Sequence, residues 1–490
     1  MARSFKAALI AGTLLALPGP AGAQTIEELK REIDELRTMV KALQAAQAAS
    51  TPRPAEPAVA SAAASSVATG GTPVPATSLA ASPAVAPVAA TPASAPVALA
   101  SAPVHKSKAW YERLMIRGYT QMRYNAFLSG DDTAPAGVSR LRSVHDSSIS
   151  DKGSFSLRRV RLVLQGDVTD RLSIYIQPDF ATAVNNQAGT ERREGFGQLR
   201  DAYADFFLDK EKRFHLRFGQ SKVPYGWENL QSSSNRLTLD RSDAINSAVP
   251  GERDLGIVAF YTPTHVQKIW DRLADDGQKL FGNYGAFGLA LYNGQGINKT
   301  EQDRHLMKVA MATWPIELDG LGEMFEGQVL EVGASGMLNK VRPEVRSGGV
   351  STLAYDDNRA GAHLILYPKP FGFQAEWNWG KGPQFDTATQ TIRSKKLSGG
   401  YVQTMYRIKE SPIGPIMPYA RWQRYRGGWK ASTNAPRLET DELELGVEWQ
   451  IIKPLELTIA YASMKRSEAD ERRTGRAEGQ LIRTQLQFSY

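Results

Sequence analysis

Arg159 and Arg161 sit in "FSLRRVRLVLQGDVTDRLSIYIQPDF", alternating with Val160, Leu162 and Leu164. A guanidinium is charged at every physiological pH and presents planar, forked donors, so it binds phosphate or carboxylate oxygens rather than relaying protons. In an extended strand, residues two apart share a face, which puts both arginines opposite the apolar set. Arg158 falls on the apolar register and needs a strand end, a bulge or a neighbouring group to be tolerated. Other polar faces carry Arg217 with His215 in "FHLRFGQ", Arg421 in "PYARWQRYRGG" and Arg483 in "LIRTQLQFSY". The same faces carry acids: Asp201, Asp205, Glu376, Glu444, Glu448 and Glu456. Each arginine therefore has two readings, an anion contact or half of an ion pair that stiffens the wall.

Catalysis finds little to work with. The chain has no cysteine, which removes disulfides, thiolate metal sites and cysteine nucleophiles. His105, His145, His215, His265, His305 and His363 are scattered, with none at metal-binding helical spacing and no nucleophile elbow beside them. "YNGQG" and "GGTPVP" lack the strand-to-helix context of a phosphate loop. "DDGQK" reads as a turn, because the remaining ligands and closing glutamate of a calcium loop are missing. The expectation is no enzyme, no metal and no cofactor, and nothing points to nucleic acid.

The elements that must position these cations are strands. "FGFQAEWNWG", "ELELGVEWQI" and "LELTIAY" alternate large apolar or aromatic residues with polar and charged ones. A soluble sandwich would alternate too. The balance is tipped by export, by strands running to the end of the chain, and by aromatics near strand ends. Trp377, Trp379, Trp449 and Tyr461 fit a membrane-interface girdle. Short turns such as 168–171 and 452–454 alternate with long polar stretches such as 131–151, as in a barrel with short turns on one rim and long loops on the other.

Upstream, "MARSFKAALIAGTLLALPGPAGAQ" has Arg3 and Lys6 before an apolar run and a small-residue site, which predicts a signal peptide over 1–23. The run is shorter than the ~20 residues a helix needs to cross a bilayer. Over 24–44, Ile26, Leu29, Ile33, Leu36, Val40 and Leu43 form a coiled-coil seam, with the alternative of an amphipathic helix lying on another domain. Residues 45–107 are rich in Ala, Pro, Ser, Val and Thr and predict a disordered linker. Mean hydropathy of −0.35 fits a barrel, whose lipid-facing residues are diluted by lumen-facing ones. The fold predicted over 108–490 is therefore all-β, a transmembrane antiparallel barrel of about 16 strands, a size that leaves an aqueous channel.

"FSLRRVRLVLQGDVTDRLSIYIQPDFA", "LRDAYADFFL", "FHLRFGQSKVPYGWENLQSSSNRLTLDRS" and "PGERDLGI" follow one another in the order and spacing of the phosphate-selective porin O and P family, which the chain resembles from about 111 to 490. The resemblance implies a trimeric, 16-stranded outer-membrane porin with a short periplasmic coiled coil and a cation-lined pore. By motif it carries over Arg158, Arg159 and Arg161, with Arg217 added from its facing. It also carries over Lys222, where the chain enters a long loop expected to fold inward. A central binding lysine in that loop is not carried over, since "SSSNRLT" offers Asn235 and Arg236 instead.

Charge tempers the reading. The whole chain has 59 basic and 51 acidic residues; setting aside nine and six of these in 1–108 leaves 50 against 45, an excess of five over the barrel. The expected function is a water-filled channel for small hydrophilic solutes with a mild preference for phosphate or other small anions, lined by Arg158, Arg159, Arg161, Arg217, Lys222, Arg421 and Arg483. The alternatives are a non-selective diffusion pore, a barrel-anchored tether touching the cell wall through 24–44, and a secreted soluble β-protein. Expected partners are small anions, outer-membrane lipid and two further copies of the chain. "LIRTQLQFSY", with Ile482, Leu486, Phe488 and Tyr490 on one face and Arg483 on the other, predicts the strand that closes the barrel.

Overall fold

The computed structural model describes residues 109–130, 155–181, 197–282 and 284–490, with Leu141, Ile149 and Gly153. The expected signal peptide, coiled coil and linker, and most of the polar stretch 131–151, lie outside the described residues.

The strands are β1 (Leu114–Gly130), β2 (Phe155–Thr169), β3 (Leu172–Asp179), β4 (Gln198–Phe207), β5 (Phe214–Lys222) and β6 (Arg253–Tyr261). They continue with β7 (Phe287–Tyr292), β8 (Met307–Glu317), β9 (Val329–Leu338), and the two-residue β10 (Lys340–Val341) and β11 (Tyr355–Asp356). The last run is β12 (Asn358–Leu366), β13 (Phe371–Asp386), β14 (Thr391–Tyr406), β15 (Ile416–Gly428), β16 (Arg437–Ile452), β17 (Leu455–Ala469) and β18 (Arg476–Ser489). All but the β10–β11 ribbon join one closed antiparallel barrel of 16 strands, each paired with its neighbours in sequence and β1 paired with β18. Among the described residues no helix is long and apolar enough to cross a membrane.

The two faces of the wall are inverted relative to a soluble sheet. In β16, Leu443 and Leu445 point out and are 42% and 46% exposed, while Glu442, Glu444 and Glu448 between and beyond them are buried inside. β18 repeats this, with Arg483, Gln485 and Gln487 buried inward and Phe488 exposed outward. Such a wall is stable only where hydrocarbon covers the outside, since an outward Arg or Lys at the bilayer midplane costs ~2–4 kcal/mol.

Two-residue turns, Asp170–Arg171 and Lys453–Pro454, fall where the sequence places them. On this short-turn rim Phe214, Tyr261, Phe287 and Trp314 stack in series across four strands, with ring centroids 4.2, 6.2 and 5.9 Å apart. Trp449 joins that rim near the end of β16, whereas Trp377, Trp379 and Tyr461 lie further along their strands. The seam closes as the C-terminal stretch predicts: Tyr490 N–H donates to Gly118 O at 3.0 Å, and Gly118 N–H donates to Tyr490 O at 2.6 Å.

Candidate functional site

Among the described residues, two continuous segments, 223–252 and 262–286, leave the wall and enter the barrel. Residues 223–252, between β5 and β6, are buried almost throughout. Their apolar side chains seat them: Val223, Tyr225, Trp227 and Leu230 are 0–1% exposed, and Leu237 and Leu239 pack on Met405, Met417 and Tyr419 of the far wall. This loop is polar enough to run on the surface, so something must repay its desolvation. Buried ion pairs do.

Asp240 is the principal clamp. Its carboxylate lies 2.9 Å from Arg123 on β1, 2.6 Å from Arg483 on β18, and 3.6 and 4.0 Å from Arg158 and Arg159 on β2. Burial alone would raise its pKa, but Arg123, Arg483, Arg158 and Arg159 more than offset this and hold the carboxyl well below the usual range. At the base of the loop Glu252 gathers Arg241 at 3.2 Å, Lys222 at 3.5 Å, Arg236 at 3.8 Å and its neighbour Arg253. Its carboxyl too is held well below the usual range: burial opposes the charge, but the surrounding cations, Lys222 foremost, outweigh it. Between the clamps, Glu228 meets Arg421 at 2.7 Å and Asp243 meets Arg466 at 3.0 Å. The Glu376 carboxylate accepts from the backbone N–H groups of Trp227 and Glu228 at 2.8 and 3.0 Å. Removing one partner of such a buried pair costs ~3–5 kcal/mol, because the other charge is left uncompensated.

The expected pore-lining cations divide accordingly. Arg159 and Arg161 face inward, as their alternation requires, and Arg161 pairs with Asp179 at 2.7 Å and donates to Ser233 of the loop at 2.9 Å. Arg158 is rescued by a bulge: Gln121 pairs with Arg159 but Met122 with Leu157, so Arg158 is the extra residue and its guanidinium turns to Asp240. Lys222 Nζ donates to the carbonyls of Asn229, Leu230 and Gln231 at 3.1, 3.3 and 2.6 Å, pinning the loop's first turn. Arg421 and Arg483 are also loop contacts, through Glu228 and Asp240. Arg217 stands apart, bound by both guanidinium arms to Asp205 at 2.7 and 2.8 Å and stacked on Tyr203 at 3.9 Å. Most of the ladder therefore holds the loop.

Two spaces remain beside the loop. One, about 390 Å³, is lined by Arg236, Thr238, Lys279, Gln374, Gln403 and Arg421; the other, about 300 Å³, is lined by Arg241, Arg421, Glu442, Glu444 and Arg483 with Asp240. Arg421 and Thr238 border both. Arg236 is 5% exposed and Arg421 3%. No acceptor among the described residues hydrogen-bonds the Nε or Nη2 of either guanidinium. Buried donors of this kind are normally satisfied, so both guanidiniums have capacity left for an anion; Arg159 and Arg466, which also contact the loop, keep unfilled donors as well but do not line these two spaces.

Most of the clamp residues escape a reading of alternation. Arg123 does not: "YTQMRYNA" places it with Tyr119, Gln121 and Asn125 on the polar face of β1. Asp240, Glu252, Arg236 and Arg241 lie in irregular chain, where no period marks a facing.

Fold and site together define an outer-membrane β-barrel channel with an inward-folded constriction. The chain belongs to the phosphate-selective porin O and P family, whose model matches residues 136–490. No curated protein sequence matches. Among solved structures, the outer membrane channel DcaP of Acinetobacter baumannii is 14% identical, with 77% of this chain and 97% of that one covered and a TM-score of 0.47. OmpF of Salmonella typhi, solved with daunomycin, is 12% identical at the same coverages with a TM-score of 0.48. OmpT of Vibrio cholerae, described as a trimer form, is 9% identical, covers 77% and 99%, and has a TM-score of 0.42. Family and barrel place the protein in the Gram-negative outer membrane as a channel-forming protein.

Proposed function

We propose that the channel passes small hydrophilic solutes with a mild preference for small anions, phosphate among them, and that Arg236 and Arg421 are the contact point. The observation that carries this is the pair of buried guanidiniums with unfilled donors bordering the larger space beside the loop. A few moderate cationic contacts in series let an ion enter and leave, whereas one tight site would block conduction. Arg158, Arg159, Arg161, Lys222 and Arg483 support the preference indirectly, by fixing the loop that presents Arg236; Arg217 adds only to the background potential. The preference stays mild because Glu442, Glu444 and Glu448 on β16, the strand paired with that of Arg421, and Glu456 on β17 are buried on the same side of the barrel.

That acidic wall favours a second reading, a diffusion pore with no resolved selectivity. Reversal potentials across a planar bilayer, with phosphate titrated into chloride, separate the two. Anion preference with phosphate block, both reduced in Arg236→Gln and Arg421→Gln, supports the first; cation preference without block sinks it. On the family's pattern the protein assembles as a homotrimer in outer-membrane lipid after export by residues 1–23. Residues 24–44 then reach toward the cell wall on the linker 45–107, and deletion of 24–107 with unchanged conductance but a detached envelope would assign them a tethering role.

A further inference from the structure

The second inward segment, residues 262–286, does not belong to the pore loop and enters from the opposite rim. It joins β6 to β7, adjacent strands that a two-residue turn could connect, as at Asp170–Arg171. Its helix, Thr264–Asp275, buries Val266, Ile269 and Leu273, the last two in the apolar cluster that holds Trp227, Met311 and Tyr367. Beyond the helix the chain runs inward. Gln278 donates to Pro368 O at 2.8 Å, and Lys279 Nζ reaches Glu448 on β16 at 2.8 Å and Glu456 on β17 at 3.3 Å. In the closed ring β16 lies eight places from β6, and β17 eight from β7. In a barrel of 16 strands that is diametric, so the segment spans the full lumen.

We propose that Asp276–Lys279 is a strap across the short-turn mouth of the channel, a second gate in series with the pore loop, latched by Lys279. The strap closes the larger space from that side: Gln278 and Lys279 line it, and Gln231 and Asn235 of the loop donate to the Lys279 and Leu280 carbonyls at 3.0 and 2.8 Å. A solute that has passed Arg236 and Arg421 meets these side chains next.

The attachment of the strap is built to release. Phe281, packed between Trp227 and Trp270 with centroids 6.1 and 5.1 Å away, is its fixed end. Gly277 and Gly282 flank it with φ of +71° and +101°, a backbone region that side-chain-bearing residues rarely adopt. Its outer contact joins Asp276 to Arg407 at 2.8 Å and to Lys409; Asp276 and Lys409 are open to solvent and salt, while Arg407 is mostly covered. The inner contact is one ammonium shared by two carboxylates. Removing it leaves Glu448 and Glu456 facing each other and the strap with no charge attraction to the far wall.

The chain has no native cysteine, so access past the strap can be read directly. In planar bilayers with potassium chloride, Lys279→Gln should raise single-channel conductance at least about twofold, with Lys279→Arg near the parent value. Glu448→Gln with Glu456→Gln, which breaks the same latch from the other side, should match Lys279→Gln. The second measurement uses Met405→Cys, on the wall of the space the strap covers. A small methanethiosulfonate reagent added from the short-turn side should label it about tenfold faster when Lys279→Gln is also present, as expected when local opening becomes easier. Unchanged conductance, or an unchanged labelling rate, in a barrel that still migrates as folded overturns the gate. The labelling rate does not depend on ion selectivity, and the two latch variants change the lumen charge in opposite directions, so a shared rise in conductance reports opening and failure of the anion preference leaves this test intact.

Discussion

The pore loop and the strap both cross the lumen, yet they are fastened by different physics. The loop is held by carboxylates buried among several cations each, with Asp240 and Glu252 both under a tenth exposed. The strap is held at its root by an apolar helix face and at its tip by a single ammonium latch, one outer ion pair, and neutral hydrogen bonds to Pro368 and from Gln231 and Asn235 of the loop. In the low-dielectric interior a multiply paired carboxylate cannot be given up piecemeal, because any one departure leaves uncompensated charge. At the rim, water replaces what the protein releases. The loop therefore sets the width of the channel and the strap is the part free to change it.

The largest expected effect comes from Asp240→Asn. It leaves Arg123, Arg158 and Arg159 without their shared carboxylate and should cost ~3–5 kcal/mol of loop docking. This would appear as a lower unfolding temperature of the detergent-solubilised barrel and a noisy conductance; a variant that melts and conducts like the parent would break the comparison. Next, Leu273→Ala, in the apolar root of the strap, should cost about 2 kcal/mol through lost burial and a cavity. Unlike the first effect, it should be insensitive to salt in the same melting assay.

Acid should separate the two segments. Asp240 is held well below the usual carboxyl range, chiefly against burial by Arg123, and Asp276 is lowered less, against burial by Lys409 and Arg407. Both are depressed, so each contact is complete above the ordinary Asp value of ~4 and is lost only as pH falls through the folded value. Titrating downward, conductance should rise first as Asp276 lets go and become noisy later as Asp240 does; the reverse order would contradict the assignment. The smallest effect is that of Lys409→Gln, less than ~1 kcal/mol in strap attachment, visible as a slight conductance rise at low salt and absent at high salt.

The wall was legible because its signal is local. Period-two alternation put Arg159, Arg161, Arg217, Arg421 and Arg483 inside before any partner strand was known, and the turn at Lys453–Pro454 and the closing strand followed from the same pattern. Arg158 was legible as a residue off its register that needs a strand end, a bulge or a neighbouring group, but which of these was not, because a bulge is a mismatch between two strands and β2 alone does not record where β1 slips. Lys222 read as a pore cation, but its ammonium is occupied by carbonyls several residues on, in a turn that forms only when the loop folds inward. "DDGQK" read as a turn because nothing in those residues states that Glu448 and Glu456 lie across the barrel. "SSSNRLTLDRS" has no period at all, so neither the buried Asp240 clamp nor the unfilled donors of Arg236 could be read from it.

What the amino-acid order determined by itself is which side of the wall each strand residue faces, since facing depends only on the parity of neighbouring positions and the contrast between hydrocarbon and water. What the tertiary structure alone decided is which charge meets which. Coulomb attraction depends on distance in space, and closing the ring brings β1, β2 and β18 around one aspartate and carries Lys279 to the opposite wall. The inward loop turns most of the lumen arginines into its own anchors and leaves donors of Arg236 and Arg421 unfilled, which is why they are the proposed contacts for the solute.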